Sequence, residues 1–352
     1  MKFFCAYLLL CSCATRLVAE NPAPISLSEP QQKFARELAT VFQTLEKKNA
    51  AAGAGVDGWL FFAGELRLLS LGRFWGDEAP KVSRAHKPEL ADPIPAIVDF
   101  QQQLKVRGIE LLVVPVPPKA AIYPEKIIPG VKISGSDTAP VLRRFYDELR
   151  KAQVEVLDLT TTLSEIDDSN RLPAFCKTDS HWSGAGCLAA ARAIADSVRR
   201  KVGVSPAGKE FLPEWKDVQI NGDLVSLLPH DVAKPGPEKI SVRTIREKGT
   251  GAAVEPDPNS PVLLLGDSHT LVYHDFLAER AGLMDQLAFE LGSAPDLIGT
   301  RGSGATPVRL NLYRRSLKDA GYLAKKKIVV WCFAAREFTE ATEGWAKAPI
   351  AK

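Results

Sequence analysis

Along this chain, short unbroken apolar runs alternate with stretches whose apolar residues recur every three or four positions. Ile109 to Val114, Val154 to Leu159, Pro261 to Leu265 and Lys327 to Phe333 are runs of the first kind. Because they do not alternate with polar residues, they read as strands covered on both faces. Helical spacing falls between them. Phe34 to Lys48 carries Phe34, Leu38, Val41, Phe42 and Leu45 on one face, and Asp92 to Arg107 carries Ile94, Ile97, Val98 and Leu104. Further helices are predicted at Ala139 to Ala152, after Ser183 in an Ala-rich stretch, near Leu271 to Ala281 and over Val308 to Ala324. Gly108 stops the second helix, Pro115 to Pro118 ends the strand after it, and Val56-Asp57-Gly58 turns the chain into a short strand at Trp59 to Phe62. Strands alternating with helices predict an α/β fold, a parallel sheet sandwiched by helices. Residues 203–260 are richer in Pro, Gly and charge and read as a loop-rich insertion rather than a second domain.

The first residues follow another pattern. Met1-Lys2 precedes an apolar run from Phe3 to Ala14, then Thr15 to Ala19. A bilayer needs about 20 apolar residues, so this run is too short to span one and reads as a secretory signal peptide. The expected organisation is a signal at 1–19, a leader and helix at 20–54, a catalytic domain at 55–340 and a tail at 341–352. A lipid anchor at Cys13 is the weaker alternative, because Leu10-Cys11-Ser12-Cys13 only loosely resembles a lipobox. An exported, periplasmic protein would keep Cys176, Cys187 and Cys332. In an oxidising compartment Cys176 and Cys187, flanking one polar turn, could form a disulfide. No Cys-x-x-Cys spacing remains to suggest structural zinc.

Charge removes one class of partner. Lys plus Arg number 45 against 42 for Asp plus Glu, a net of +3 with no basic cluster, so nothing marks a nucleic-acid binder. Ligands of such sheets gather beyond the carboxyl ends of the strands, and two polar clusters lie there: Lys177-Thr178-Asp179-Ser180-His181-Trp182-Ser183 and Gly266-Asp267-Ser268-His269-Thr270. Gly266 permits a tight turn that lifts the Ser268 hydroxyl to the rim of the sheet, beside free amides that can face a developing oxyanion. A serine hydroxyl needs a base, which His181 can supply, and Asp179 can fix that imidazole. Other readings stay open. Asp267 and Ser268 could simply cap a helix. Asp179, His181, Asp267 and His269 could hold a divalent ion. His269, His274 and Asp275 read as surface or supporting groups.

Gly-Asp-Ser at a strand end together with Asp-x-His resembles the SGNH/GDSL hydrolase superfamily. Here the Asp–His block precedes the serine. That permuted order, with Thr178-Asp179-Ser180-His181-Trp182, resembles the AlgJ/AlgX family of alginate O-acetyltransferases. So do Asp57 to Phe61 with Glu65, Val114 to Lys119 with Tyr123-Pro124, and Val329-Val330-Trp331 with Arg336-Glu337-Phe338. The resemblance implies an SGNH-hydrolase-like fold and a triad of Ser268 as nucleophile, His181 as base and Asp179 as orienting carboxylate, with no cofactor and no metal. It also implies an oxyanion donor near Gly302, an anion- or sugar-contacting cation at Arg301, and Trp182 packed beside the histidine, stacked on a sugar or simply in the core. The implied activity is acetyl transfer to an exported polysaccharide, with a membrane-bound O-acyltransferase as donor partner. A carbohydrate acetyl esterase with the same triad, or a non-catalytic polysaccharide-binding component of an export complex, are the alternatives.

Overall fold

The computed structural model describes residues 25–166, 172–203 and 210–352. The stretch predicted as a signal peptide, with Cys5, Cys11 and Cys13, lies outside the described residues. Five strands form the central sheet: β3 (Glu110–Val116), β4 (Glu155–Val156), β7 (Val262–Gly266), β8 (Asp296–Gly299) and β9 (Ile328–Ala334), in the order β4-β3-β9-β7-β8. All neighbouring pairs are parallel. Every residue of β7 and β9 is buried, as unbroken apolar runs require. A small antiparallel pair, β1 (Ala52–Ala54) with β2 (Leu60–Phe62), stands apart from the sheet.

The main helices lie around this sheet, and those predicted from residue spacing bury their apolar residues in its core. They are α1 (Glu29–Lys47), α2 (Ala63–Ser70), α3 (Pro93–Lys105), α4 (Pro140–Lys151), α5 (Gly184–Val202), α6 (Ser268–Leu271), α7 (Leu283–Leu291) and α8 (Thr306–Lys318). Local caps fix their starts. Ser28 and Gln31 form a capping box on α1, Asp92 accepts the Ile94 N–H of α3, and the Ser183 hydroxyl accepts the amides of Ala185 and Gly186 at α5. None of the helices among the described residues is long and apolar enough to cross a membrane.

Two expectations are corrected, and two features are added. The strand predicted to end at Pro115 runs on to Val116. Val113 turns its carbonyl to Leu157 beside β4, so Pro115 faces the same side two residues on, beyond the last β3–β4 pair, where its missing N–H costs no ladder bond. The helix predicted over Leu271 to Ala281 is absent. Tyr273, Leu277 and Arg280 take positive φ there, and the segment folds back with the Tyr273 N–H on Phe276 O and the Ala281 N–H on Tyr273 O. Strand β8, unmarked in the sequence pattern, closes the sheet edge. Finally, the loop-rich insertion also carries a hairpin, in which β5 (Phe211–Ile220) and β6 (Glu238–Glu247) pair antiparallel over ten residues each. Six consecutive β5 positions, Leu212 to Asp217, are exposed, so no face alternation betrayed the strand.

Candidate active site

Ser268 stands one residue beyond the Asp267 cap, at the carboxyl end of β7. The chain turns there because Gly266 sits where a side chain could not: a Cβ would lie 1.8 Å from the Cys332 carbonyl oxygen of the adjoining β9. Asp267 is buried and wholly engaged. Its Oδ1 accepts the His269 amide at 2.9 Å and its Oδ2 accepts the Ala334 amide at 2.7 Å. The helix-cap reading therefore holds for Asp267. Ser268 itself is only half-buried, between fully buried Asp267 and His269.

The second cluster forms a closed turn. Phe175 and Trp182 pair across it, and the Cys176 amide donates to the His181 carbonyl at 3.2 Å. The turn carries Asp179 and His181 to Ser268 across 87 residues of sequence. His181 Nδ1 lies 2.6 Å from Asp179 Oδ1, and its Nε2 lies 2.8 Å from Ser268 Oγ. A carboxylate can only accept, so Nδ1 carries the proton and Nε2 is left to accept from the serine hydroxyl. Asp179 Oδ1 also accepts the His181 amide at 3.0 Å, and Oδ2 accepts the Asp223 amide at 3.0 Å. Burial works to raise the Asp179 pKa, but the hydrogen bond and charge of His181 and these amides outweigh it and hold the carboxyl at about 2.

Two acidic residues that the sequence reading missed grip this turn from the insertion. Glu238 accepts the amides of Lys177 and Thr178 at 2.8 Å each and the Thr178 hydroxyl at 2.7 Å. Asp223 accepts the Ser180 amide at 2.7 Å and its hydroxyl at 2.6 Å. Neither carries a local signal, because each is defined by partners more than 40 residues away.

The four-residue metal set left open as an alternative is not the grouping that forms. Among the described residues the ligand atoms that converge within 4.8 Å belong to Asp179, His181 and Asp223. All are already engaged: Asp179 by amides and imidazole, His181 by Asp179 and Ser268, Asp223 by Ser180. Asp267 pairs instead with buried His269, whose ring lies 4.7 Å from that of His181. Burial lowers the His269 pKa, which leaves it neutral beside an ionised Asp267. His274, expected as a surface or supporting group, donates within a buried pair to Asp285 at 2.9 Å.

Of the outer candidates, the loop holding Arg301 and Gly302 runs past Asp267, the residue before the serine: a Cβ on Gly304 would lie 3.3 Å from the Asp267 amide nitrogen. Gly302 is exposed at φ +100°. Among the described residues no protein acceptor takes the amides of Ser268 or Gly302. Arg301 is exposed, stacks over Phe276 at 4.5 Å, and Phe276 meets the His181 ring edge-on at 5.7 Å. Trp182 corrects the sugar-stacking option: it is wholly buried, edge-to-face with His269 at 5.2 Å. The proposed Cys176–Cys187 disulfide is also corrected, since both are free, buried thiols. Backbone pairing already closes the turn, Cys176 Sγ sits 3.0 Å from the Tyr273 hydroxyl, and Cys187 packs into the core from α5.

Comparison with known proteins gives the following. A family model described as SGNH hydrolase-like domain, acetyltransferase AlgX, matches residues 53–334. The chain is 27% identical over 296 residues to a probable alginate O-acetylase AlgJ of Pseudomonas putida, covering 80% of this chain and 73% of that protein. It is 25% identical over 305 residues to that of Pseudomonas aeruginosa, covering 82% and 71%. Among solved structures, the O-acetyltransferase domain of Pseudomonas putida AlgJ superposes with a TM-score of 0.61 at 24% identity, covering 82% of this chain and 92% of that one. Pseudomonas aeruginosa AlgX superposes at 0.60 and 17% identity, covering 88% and 66%. These two superpositions speak to the fold.

Proposed function

The chain belongs to the AlgX family of SGNH hydrolase-like acetyltransferases, and from that premise we propose that it moves an acetyl group onto a hydroxyl of an exported polysaccharide through an acetyl-Ser268 intermediate. The observation that carries the proposal is the hydrogen-bonded line Asp179–His181–Ser268, at 2.6 and 2.8 Å. His181 Nε2 takes the proton as Ser268 Oγ attacks the donor's acetyl carbonyl. The oxyanion forms against the free amides of Ser268 and Gly302, and the leaving group departs with the proton from His181. Asp179 holds the productive tautomer and stabilises the imidazolium. In the second half His181 deprotonates the sugar hydroxyl that attacks acetyl-Ser268, which frees the serine and releases the acetylated sugar.

The acceptor is an acidic polysaccharide of the alginate kind, in keeping with the relatives' names, with Arg301 at the mouth of the site to meet a carboxylate. A membrane-bound O-acyltransferase supplies the acetyl group, and the reaction takes place in the periplasm. Intact-mass measurement with p-nitrophenyl acetate tests the core of this reading. One acetyl group should appear on the wild type and none on Ser268→Ala, and the adduct should decay faster with acidic oligosaccharide as acetyl appears on the sugar. Release only as acetate across a range of acceptors would favour an esterase. Absence of any adduct, with Ser268→Ala turning over normally, would overturn the proposal.

A further inference from the structure

Three sequence motifs have no part in that chemistry: the stretch from Asp57 to Glu65, the strand end at Lys119 and the Arg336-Glu337 pair. The fold draws one charged residue from each of them together behind the site. Lys119 is 1% exposed, and its ammonium donates to three carbonyls: Leu60 at 2.9 Å, Lys177 at 3.3 Å and Asp179 at 2.6 Å. Lysine is the side chain with three donors at one nitrogen, and a buried cation is costly unless it is both hydrogen-bonded and paired. The hydrogen bonds go to these three carbonyls, and Glu65, Asp179 and Glu238 are the nearby carboxylates that favour the charge. Glu65 Oε2 accepts the Lys119 amide at 3.1 Å, and Glu65 Oε1 accepts Arg336 Nη1 at 2.9 Å. Arg336 follows β9 two residues after Ala334, whose amide donates to Asp267 Oδ2.

Contacts therefore run from the Asp179 carbonyl through the Lys119 ammonium and backbone amide to Glu65 and on to the ion pair with Arg336, whose charge also feels Asp267. One end of this line holds the turn that carries His181, and the other lies against the cap that presents Ser268. Burial lowers the Lys119 pKa, opposed by Cys176 and by the carboxylates of Glu65, Asp179 and Glu238. Burial likewise works against Arg336, but Glu65, Asp267 and Glu337 outweigh it and raise its pKa.

We infer that Lys119, Glu65 and Arg336 are positioning residues, a single buried polar brace of hydrogen bonds and one ion pair that holds the Asp179–His181 turn in register with Ser268. None of the three touches the reacting atoms. The inference rests on the Ser268 reading above and is tested apart from it. An error of about 1 Å in catalytic geometry costs about a hundredfold in rate, so a partial loosening should be visible in turnover.

The full chain is assayed with p-nitrophenyl acetate as Glu65→Gln, Lys119→Met, the double variant and Arg336→Met beside Arg336→Lys, with Ser268→Ala as control. Glu65→Gln and Lys119→Met should each lower kcat by about tenfold or more per folded molecule while KM stays within about twofold. The double variant should be no slower than the slower single, and Arg336→Lys should recover part of what Arg336→Met loses. The far-downfield proton resonance of His181 Nδ1–H should shift or broaden in each impaired variant, which a loss of folded fraction alone would not produce. If Lys119→Met does not fold, Glu65→Gln decides the matter by itself. Wild-type kcat and an unmoved resonance in Glu65→Gln overturn the brace, as do independent, multiplying losses in the double variant. If Ser268→Ala retains turnover, the Ser268 reading fails and the brace falls with it.

Discussion

Gly222→Ala adds one methyl group at a place where the structure leaves no room for it. Gly222 has φ −60° and ψ 140°, a backbone open to any L residue, so the whole effect is steric. A Cβ built there lies 2.1 Å from the Thr178 carbonyl oxygen, 2.2 Å from its carbon and 2.5 Å from Oγ1. Even a tight contact needs 3.0 Å, so the insertion and the turn must part by about 1 Å, a shift that can cost about a hundredfold in rate. The adjacent contacts are the ones that matter: Leu224 N–H to Thr178 O at 3.3 Å and Asp223 N–H to Asp179 Oδ2 at 3.0 Å. Overpacking of this sort also destabilises by about 1–3 kcal/mol. The assay pairs urea unfolding with the kcat for p-nitrophenyl acetate. The expected result is a kcat lowered between tenfold and about a hundredfold, beyond what the folded fraction explains. A variant with lowered stability but wild-type kcat would refute the claim that the insertion positions Asp179.

Three further outcomes follow from the same contacts. Asp179→Asn should slow acylation by as much as about 10⁴-fold, because the wrong tautomer is favoured. Because the folded Asp179 pKa is depressed to about 2 from 3.8, its stabilisation is present above pH 4 and is lost as pH falls through about 2, so urea unfolding of wild type and Asn variant should converge over that window. Glu337 is the opposite case. Burial is the main cause that raises its pKa from 4.5 to about 7, against the Ser303 hydroxyl at 2.5 Å and Arg336, with Asp267 and Glu343 adding to the rise. The folded state binds the extra proton, so wild type should lose on the order of 3 kcal/mol or less between pH 4.5 and 8 that Glu337→Gln keeps; equal pH slopes for the two would contradict this. Alkylation of the unfolded, unreduced protein should label Cys176, Cys187 and Cys332 alike, and a linked Cys176–Cys187 peptide would contradict the structure.

What the sequence determined by itself was whatever depends on near neighbours. Unbroken apolar runs marked β3, β7 and β9, three- and four-residue spacing marked α1, α3, α4, α5 and α8, and Gly266-Asp267-Ser268 announced a hydroxyl at a strand end. Asp179 and His181 were legible for the same reason, being two residues apart on one turn. Local pattern misled where a distant partner decides the conformation. The Leu271 to Ala281 stretch has helical spacing, but it folds back with Tyr273 donating to the Trp182 carbonyl at 2.8 Å. The β5 strand shows no alternation because neither face of its exposed stretch is covered. A disulfide looked reasonable from cysteine spacing, yet spacing does not say which way a side chain points, and Cys176 turns to Tyr273. Only the tertiary structure could join His181 to Ser268, seat Asp223 and Glu238 on the turn, or line up Lys119, Glu65 and Arg336. Those contacts span 43 to 271 residues of chain, and no periodicity in a window of a dozen residues can encode them. They exist because the sheet brings the ends of β3, β7 and β9 side by side, where buried charges that would be costly alone find one another.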